Sequence, residues 1–133
     1  MIKPIRILIV DDNLSFRLGM QALLEIQPDM LVVGMAPNGQ KALEMLEQHQ
    51  ADLVLLDAQM PDITGIEVTR MIKSRWPEVR VVLMTMYADY RKRSIEAGAD
   101  AFLTKGLPPE HVLTLIRGMM TREGKGMPDL KGV

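Results

Sequence analysis

Five apolar, strand-like segments alternate with five helix-like ones along the 133 residues, and this alternation restricts the fold more than any other feature. Repetition of strand, helix, strand is the unit of a parallel sheet covered by helices. The strands are expected at Ile5 to Val10, Leu31 to Met35, Leu53 to Leu56, Val79 to Met84 and Ala101 to Thr104. The third is an unbroken apolar run, as suits a strand buried on both faces. The helices are expected at about Leu14 to Ile26, from Asn38 to His49, Thr64 to Arg75, within Ala88 to Ala97, and from Pro108-Pro109-Glu110 onward. Local signals agree. Asn38 can cap the second helix, and Thr64 with Glu67 has capping-box spacing. Trp76-Pro77 must end the third helix, Gly98 can close the fourth, and Pro108-Pro109 suits the first turn of the fifth. The first helix should bury Phe16, Met20, Leu23 and Leu24, with Gly19 allowing close approach. The second should bury Ala42, Leu43 and Leu46, and the fifth Val112, Leu113, Ile116, Met119 and Met120. The fourth has only a thin stripe: Tyr90, Ser94, Ile95 and Ala97.

Polar residues interrupt this pattern at one recurring position. Asp11-Asp12, Asp57, Thr85 and Lys105 each stand at the carboxyl end of a strand. In a parallel sheet those ends share one edge, and ligands bind there, where strand order reverses. With the order 2-1-3-4-5 the reversal lies between strands one and three, which sets Asp57 beside Asp11 and Asp12. At about 4 Å and an effective dielectric near 20, each pair of full carboxylate charges repels by roughly 4 kcal/mol. Lys105 offsets only part of that, and a divalent cation is the natural remainder. All-oxygen donors point to a hard ion, Mg²⁺ more than Ca²⁺. Mg²⁺ commonly completes its shell with water and a phosphate oxygen, so the group anticipates a phosphoryl. Asp57 is then the candidate nucleophile, able to form an acyl phosphate. Lys105 neutralises charge on the transferring group, and Thr85 offers it a hydroxyl. Taken singly, each residue reads as a turn former, a cap or a solvated charge; it is their convergence that carries the functional reading. His49 and His111 fall on helix surfaces and read as solvated.

Composition closes off other classes. A net charge of −1 gives no field toward nucleic acid or anionic lipid, so no nucleic acid is expected to bind this chain itself. There is no cysteine, hence no disulfide framework or thiolate metal site. No apolar run approaches the roughly 20 residues that span a bilayer, and no signal-peptide pattern opens the chain. A cytoplasmic location is the expectation. The twelve methionines read as flexible core filler. Residues 1–121 read as one domain, and 122–133, rich in Gly and Lys with little apolar content, as a linker or loose tail.

These residues resemble the receiver domain of bacterial two-component response regulators. The matching set is Asp11-Asp12, Asp57, Met60-Pro61, Gly65, Thr85, Ala97-Gly98-Ala99 and Lys105. The resemblance covers about Ile5 to Met120. It implies a flavodoxin-like, doubly wound sheet and phosphorylation of Asp57 by a histidine kinase or phosphotransfer protein. It also implies Mg²⁺ held by Asp12, Asp57 and the backbone carbonyl of Gln59, with Asp11 acting through water, and switching by Thr85 and Phe102. The stretch Pro28 to Gly34 with Asn38-Gly39 is similar to the NarL/LuxR type, in which a DNA-binding domain follows a linker. The resemblance leaves open a transcription factor cut at that linker or a stand-alone receiver acting by protein contact. It also leaves open a homodimer formed on phosphorylation. Three departures stand out. Gly106 follows Lys105 where many receivers have Pro, so a cis peptide is not required. Met86 is bulky enough to crowd the site. The run from Thr85 to Gly98 is short, which affects the fourth helix. An Mg²⁺-dependent phosphatase with an Asp nucleophile is the competing enzyme reading, but Ala58 and Gln59 supply no general acid. A flavin or nucleotide carrier would need a G-x-G-x-x-G after the first strand, and none is present. The chain is therefore expected not to be an enzyme.

Overall fold

In the computed structural model, which describes residues 3–121, β3 (Leu53–Asp57) lies at the centre of the sheet and is buried along its whole length. It pairs in parallel with β1 (Ile5–Val10) on one side and β4 (Arg80–Thr85) on the other. β2 (Met30–Ala36) and β5 (Ala101–Thr104) form the edges, giving the order β2-β1-β3-β4-β5 with every pairing parallel. Order and direction are those expected. The expected tail, 122–133, lies outside the described residues.

Alternation along the strands sorts the core into two layers. Leu8, Val10, Val54, Leu56 and Leu83 face Ala42 and Leu46 of α2 (Gly39–Gln48) and Ile66, Val68 and Ile72 of α3 (Gly65–Arg75). Ile7, Ile9, Leu53, Leu55, Val82 and Met84 face Met20 and Leu24 of α1 (Leu14–Glu25) and Val112, Leu115, Ile116 and Met119 of α5 (Glu110–Thr121). A sheet sandwiched this way leaves its carboxyl edge as the place where polar ends gather.

Side chains set the helix starts. Asn38 accepts from Lys41 N at 2.9 Å and Thr64 from Glu67 N at 3.2 Å, as expected, and Asn13 does the same for Phe16 N at 2.9 Å. The Glu67 carboxylate pairs with Arg70 at 2.7 Å. Gly98 closes the fourth helix with φ +98°, the left-handed conformation glycine tolerates best.

The fourth helix lies within Ala88 to Ala97, as expected, while other expectations are corrected. A 3₁₀ turn at Ala88–Tyr90 precedes α4 (Arg91–Glu96), because too few residues separate Thr85 from Gly98 for a longer helix to reach both. Ile95 is exposed, leaving Ser94 and Ala97 as the buried residues and Tyr90 half-buried. Gly19 makes no close approach: a Cβ there would meet nothing within 4 Å. On α5, Leu115 takes a core position, while Leu113 and Met120 lie at its margin. His111 is not solvated as expected, since its Nδ1 is buried without a hydrogen-bond partner.

At the amino edge of the sheet, Lys73 Nζ donates to Pro77 O, Val79 O and Asp100 Oδ2 at 3.1, 3.0 and 2.9 Å. The same Asp100 oxygen accepts from Val81 N at 2.8 Å. This clasp fixes the end of α3 and the segment that follows α4.

Candidate functional site

Asp57 ends β3 opposite Met84 of β4, and Ala58 N continues the pairing by donating to Met84 O at 2.8 Å. The strand thus carries its carboxylate to the carboxyl edge and no further. Asp57 is only 6 % exposed. The loop that follows turns back sharply. A Cβ on Gly65 would lie 2.2 Å from Asp57 O and 2.6 Å from Ala58 Cα, so only glycine fits. Gly65 N donates to Ala58 O at 2.9 Å and locks the return. Asp62, at the loop tip, accepts from Gly39 N and Gln40 N at 3.1 and 2.9 Å, tying the loop to the start of α2.

Asp11 follows β1 and is completely buried. Its Oδ1 accepts from Asn13 N at 2.9 Å, its Oδ2 accepts from Lys105 Nζ at 2.5 Å, and its carbonyl accepts from Arg17 at 2.6 Å. Asp12 is exposed. One carboxylate oxygen from each of Asp11, Asp12 and Asp57 lies within 4.8 Å of the others. The sheet order has therefore assembled the expected triad, and these three residues could hold a metal ion through oxygen donors alone.

Lys105 N donates to Thr85 O at 2.8 Å, extending the β4–β5 pairing and aiming the side chain at the acids. Its ammonium pairs chiefly with Asp11 and stands 3.6 Å from Asp57 Oδ2. It also lies 4.3 Å from the centroid of the Phe16 ring, a cation–π contact. Three carboxylates against one ammonium leave an excess of negative charge that a divalent cation would offset. The Asp57 carboxyl is raised from the ordinary 3.8 to about 6. Burial is the main cause. The Gln59 N–H, donating to Oδ1 at 3.1 Å, opposes it, the Asp11 charge adds to it, Lys105 opposes it, and Asp12 adds a little more.

The remaining expected residues are placed as follows. Thr85 is buried one position beyond Met84, with its hydroxyl oxygen accepting from Tyr87 N at 3.2 Å. Gln59 is exposed, and its side-chain Nε2 donates to Tyr90 Oη at 3.1 Å. Phe102 is paired with Leu83 across the β4–β5 ladder, is only 7 % exposed and lies in the core layer shared by α2 and α3. Met86 is 64 % exposed and carries its bulk into solvent, not over Asp57. The Lys105–Gly106 peptide is trans. Sequence reasoning missed Asn13, Phe16, Arg17, Asp62 and Tyr90. Only Asn13 carried a readable signal, an Asn just before a helical run.

A five-stranded parallel sheet of this order with acids at its carboxyl edge belongs to the CheY-like flavodoxin class of folds. A solved CheY-like receiver domain protein from Methanospirillum hungatei superposes with a TM-score of 0.83 at 27 % identity, covering 90 % of this chain and 96 % of that one. The family model for the response regulator receiver domain matches residues 7–117, and the chain belongs to that family. A LuxR-family two-component response regulator from Aurantimonas superposes with a TM-score of 0.88 at 27 % identity over 97 % of this chain and 92 % of that one. Among curated proteins, the transcriptional regulatory protein LnrK of Bacillus subtilis is 34 % identical over 92 % of this chain and 56 % of its own length. The response regulator VraR of Staphylococcus saprophyticus is 32 % identical over 90 % and 58 %. The chain spans about half the length of the curated relatives it matches. Among the described residues, no helix is long and apolar enough to cross a membrane.

Proposed function

We propose that this chain is a phosphorylation-controlled receiver in which Asp57 takes a phosphoryl group from a partner histidine kinase or phosphotransfer protein. The observation that carries this reading is the convergence of Asp11, Asp12 and Asp57 within 4.8 Å, with Lys105 against them. An oxygen of the Asp57 carboxylate attacks phosphorus, a P–O bond forms, and the P–N bond to the donor's imidazole breaks, the imidazole leaving with the bonding pair. Above about pH 6 Asp57 is mainly ionised and ready to attack. Asp12, Asp57 and the Gln59 carbonyl would hold Mg²⁺, with Asp11 acting through water. When bound, the ion supplies positive charge against the charge developing on the transferring group. Lys105 holds Asp11 and lies 3.6 Å from Asp57 Oδ2, so it would offer a second positive charge to the transferring group. The Thr85 oxygen already accepts from Tyr87 N, so its own hydrogen can be donated to a phosphoryl oxygen.

The output is regulation of transcription in the cytoplasm. Residues 1–121 act as the receiver and 122–133 as a linker or loose tail, with transcription regulated through a DNA-binding domain absent from this chain. Homodimerisation follows phosphorylation. The length of the natural reading frame separates this output from a receiver that works alone through protein contact. The chain is a signalling domain and not a turnover enzyme, because Ala58 and Gln59 place no acidic side chain beside Asp57.

The chemistry is tested by intact-mass measurement with acetyl phosphate. Wild type should gain one phosphoryl group only when Mg²⁺ is present, and Asp57→Asn should gain none. Equal uptake by both proteins would remove Asp57 as the acceptor.

A further inference from the structure

Two short hydrogen-bonded paths run from the acidic site to one residue, Tyr90, on the far side of the groove between α3 and α4: one to its side chain and one to its backbone. In the first, Gln59 N donates to Asp57 Oδ1 at 3.1 Å, and the Gln59 side chain donates to Tyr90 Oη at 3.1 Å. In the second, Tyr87 N donates to Thr85 Oγ1 and Tyr90 N to Tyr87 O, each at 3.2 Å. Tyr90 is the residue on which the start of α4 hangs. Its carbonyl accepts from Ser94 Oγ at 2.8 Å, its ring carries the Arg93 guanidinium at 4.6 Å, and it packs against the core layer shared by α2 and α3. The two ends of α4 are held unequally. Its far end leads through Gly98 into the Lys73–Asp100 clasp. Its near end follows Met86, Tyr87, Ala88 and Asp89, all exposed.

We infer that Gln59 and Tyr90 form a tether that positions the start of α4 from the loop carrying Asp57, and that α4 in turn acts through this tether on the metal-binding loop. The inference rests on the reading that Asp57 and the Gln59 carbonyl share a cation. The residue that offers its carbonyl to the ion also holds Tyr90 by its side chain. Whatever fixes Gln59 at one end alters the bond at the other, and such coupling is reciprocal. Gln59 and Tyr90 act in this inference as positioning residues, through the bond between their side chains. This route reaches α4 independently of Thr85 and Phe102.

Three variants of the full chain test the tether: Tyr90→Phe, which keeps the ring, its packing and the Arg93 contact but removes the acceptor; Gln59→Ala; and the double variant. Without Mg²⁺, hydrogen exchange across Arg91 to Ala97 should quicken about threefold in each single variant, the size of one exposed hydrogen bond. The double variant should be no faster than the singles, as one shared bond requires. A merely structural anchor would leave the metal site untouched. The tether instead shifts the Mg²⁺ dissociation constant of Tyr90→Phe by about two- to fivefold in calorimetry. Unchanged exchange in Tyr90→Phe, additive effects in the double variant, or an unchanged Mg²⁺ constant would each overturn the inference. If wild type bound no Mg²⁺, the receiver reading and the coupling to the metal loop would both fall. The exchange data would still decide whether the bond holds α4.

Discussion

Replacing the phosphoacceptor should stabilise the metal-free protein, and the pH dependence of the gain identifies its cause. The Asp57 carboxyl is raised from 3.8 to about 6 in the folded chain, mainly by burial and also by the Asp11 and Asp12 charges. The sign follows from linkage. Between 3.8 and 6 the folded state binds the proton more tightly than the unfolded state, so stability falls as pH rises through that window and is flat above it. Two units at 1.36 kcal/mol each set an upper limit of roughly 3 kcal/mol above pH 7. Solvent on the Asp12 side screens the charges, and an Asn amide is a poorer neighbour for Lys105. A realised gain of about 1–2 kcal/mol for Asp57→Asn is therefore expected. Urea unfolding in EDTA should show the full gain at pH 8, about half at pH 5 and almost none near pH 4. Saturating Mg²⁺ should narrow or reverse the difference, because only wild type keeps the charged ligand and the stabilisation that binding adds. An Asn variant no more stable than wild type at pH 8 without metal would refute the view that Asp57 is held ionised against its surroundings.

Two further predictions concern glycine and metal. Gly65→Ala should cost more than about 3 kcal/mol or prevent folding, because the new methyl meets the backbone at Asp57 and Ala58 at 2.2 and 2.6 Å. Gly19→Ala, on an open part of α1, should instead stabilise by about 0.5–1 kcal/mol, and thermal unfolding of the two variants makes the comparison. Asp12→Ala should weaken Mg²⁺ binding far more than Thr85→Ala in calorimetry, since only Asp12 offers a charged oxygen to the ion; equal losses would remove Asp12 as a ligand.

What could be read in the sequence was what repeats or stands at a boundary. The apolar run Leu53–Leu56 cut off by Asp57 gave both a central strand and its functional tip, because burial on two faces leaves no room for polar residues until the strand ends. Sheet order then brought Asp11, Asp12 and Lys105 to the same edge. What escaped were contacts between residues far apart in the chain. Asp62 reads as a turn residue, and nothing local says that it caps α2. Phe16 reads as core, yet its ring faces the Lys105 ammonium. Tyr90 reads as part of a thin apolar stripe, and only the fold brings its hydroxyl to Gln59. The exact bounds of α4 within Ala88 to Ala97 were not legible for a related reason: a short connection relieves its length by tightening into a 3₁₀ turn, and that choice depends on where Thr85 and Gly98 are fixed.

The direction in which a change at Asp57 travels follows from how unequally the helices are held. α3 buries Ile66, Val68 and Ile72 against the sheet, worth about 1.5–3 kcal/mol each. α4 buries Ser94 and the single methyl of Ala97, with Ile95 left at the surface, and a methyl contributes only about 0.8 kcal/mol. The cost of holding the buried Asp57 carboxylate ionised is itself at most about 3 kcal/mol. A perturbation of that size cannot lift α3 from the core, but it is comparable with what keeps α4 in place. A two-state response needs arrangements that differ by no more than this. Of the two helices that border the loop after Asp57, only α4 meets the condition, and its clasped far end confines the movement to the end nearest the site. On the proposed reading, phosphorylation is therefore expressed at the start of α4, because that is where the fold spends least on holding a helix.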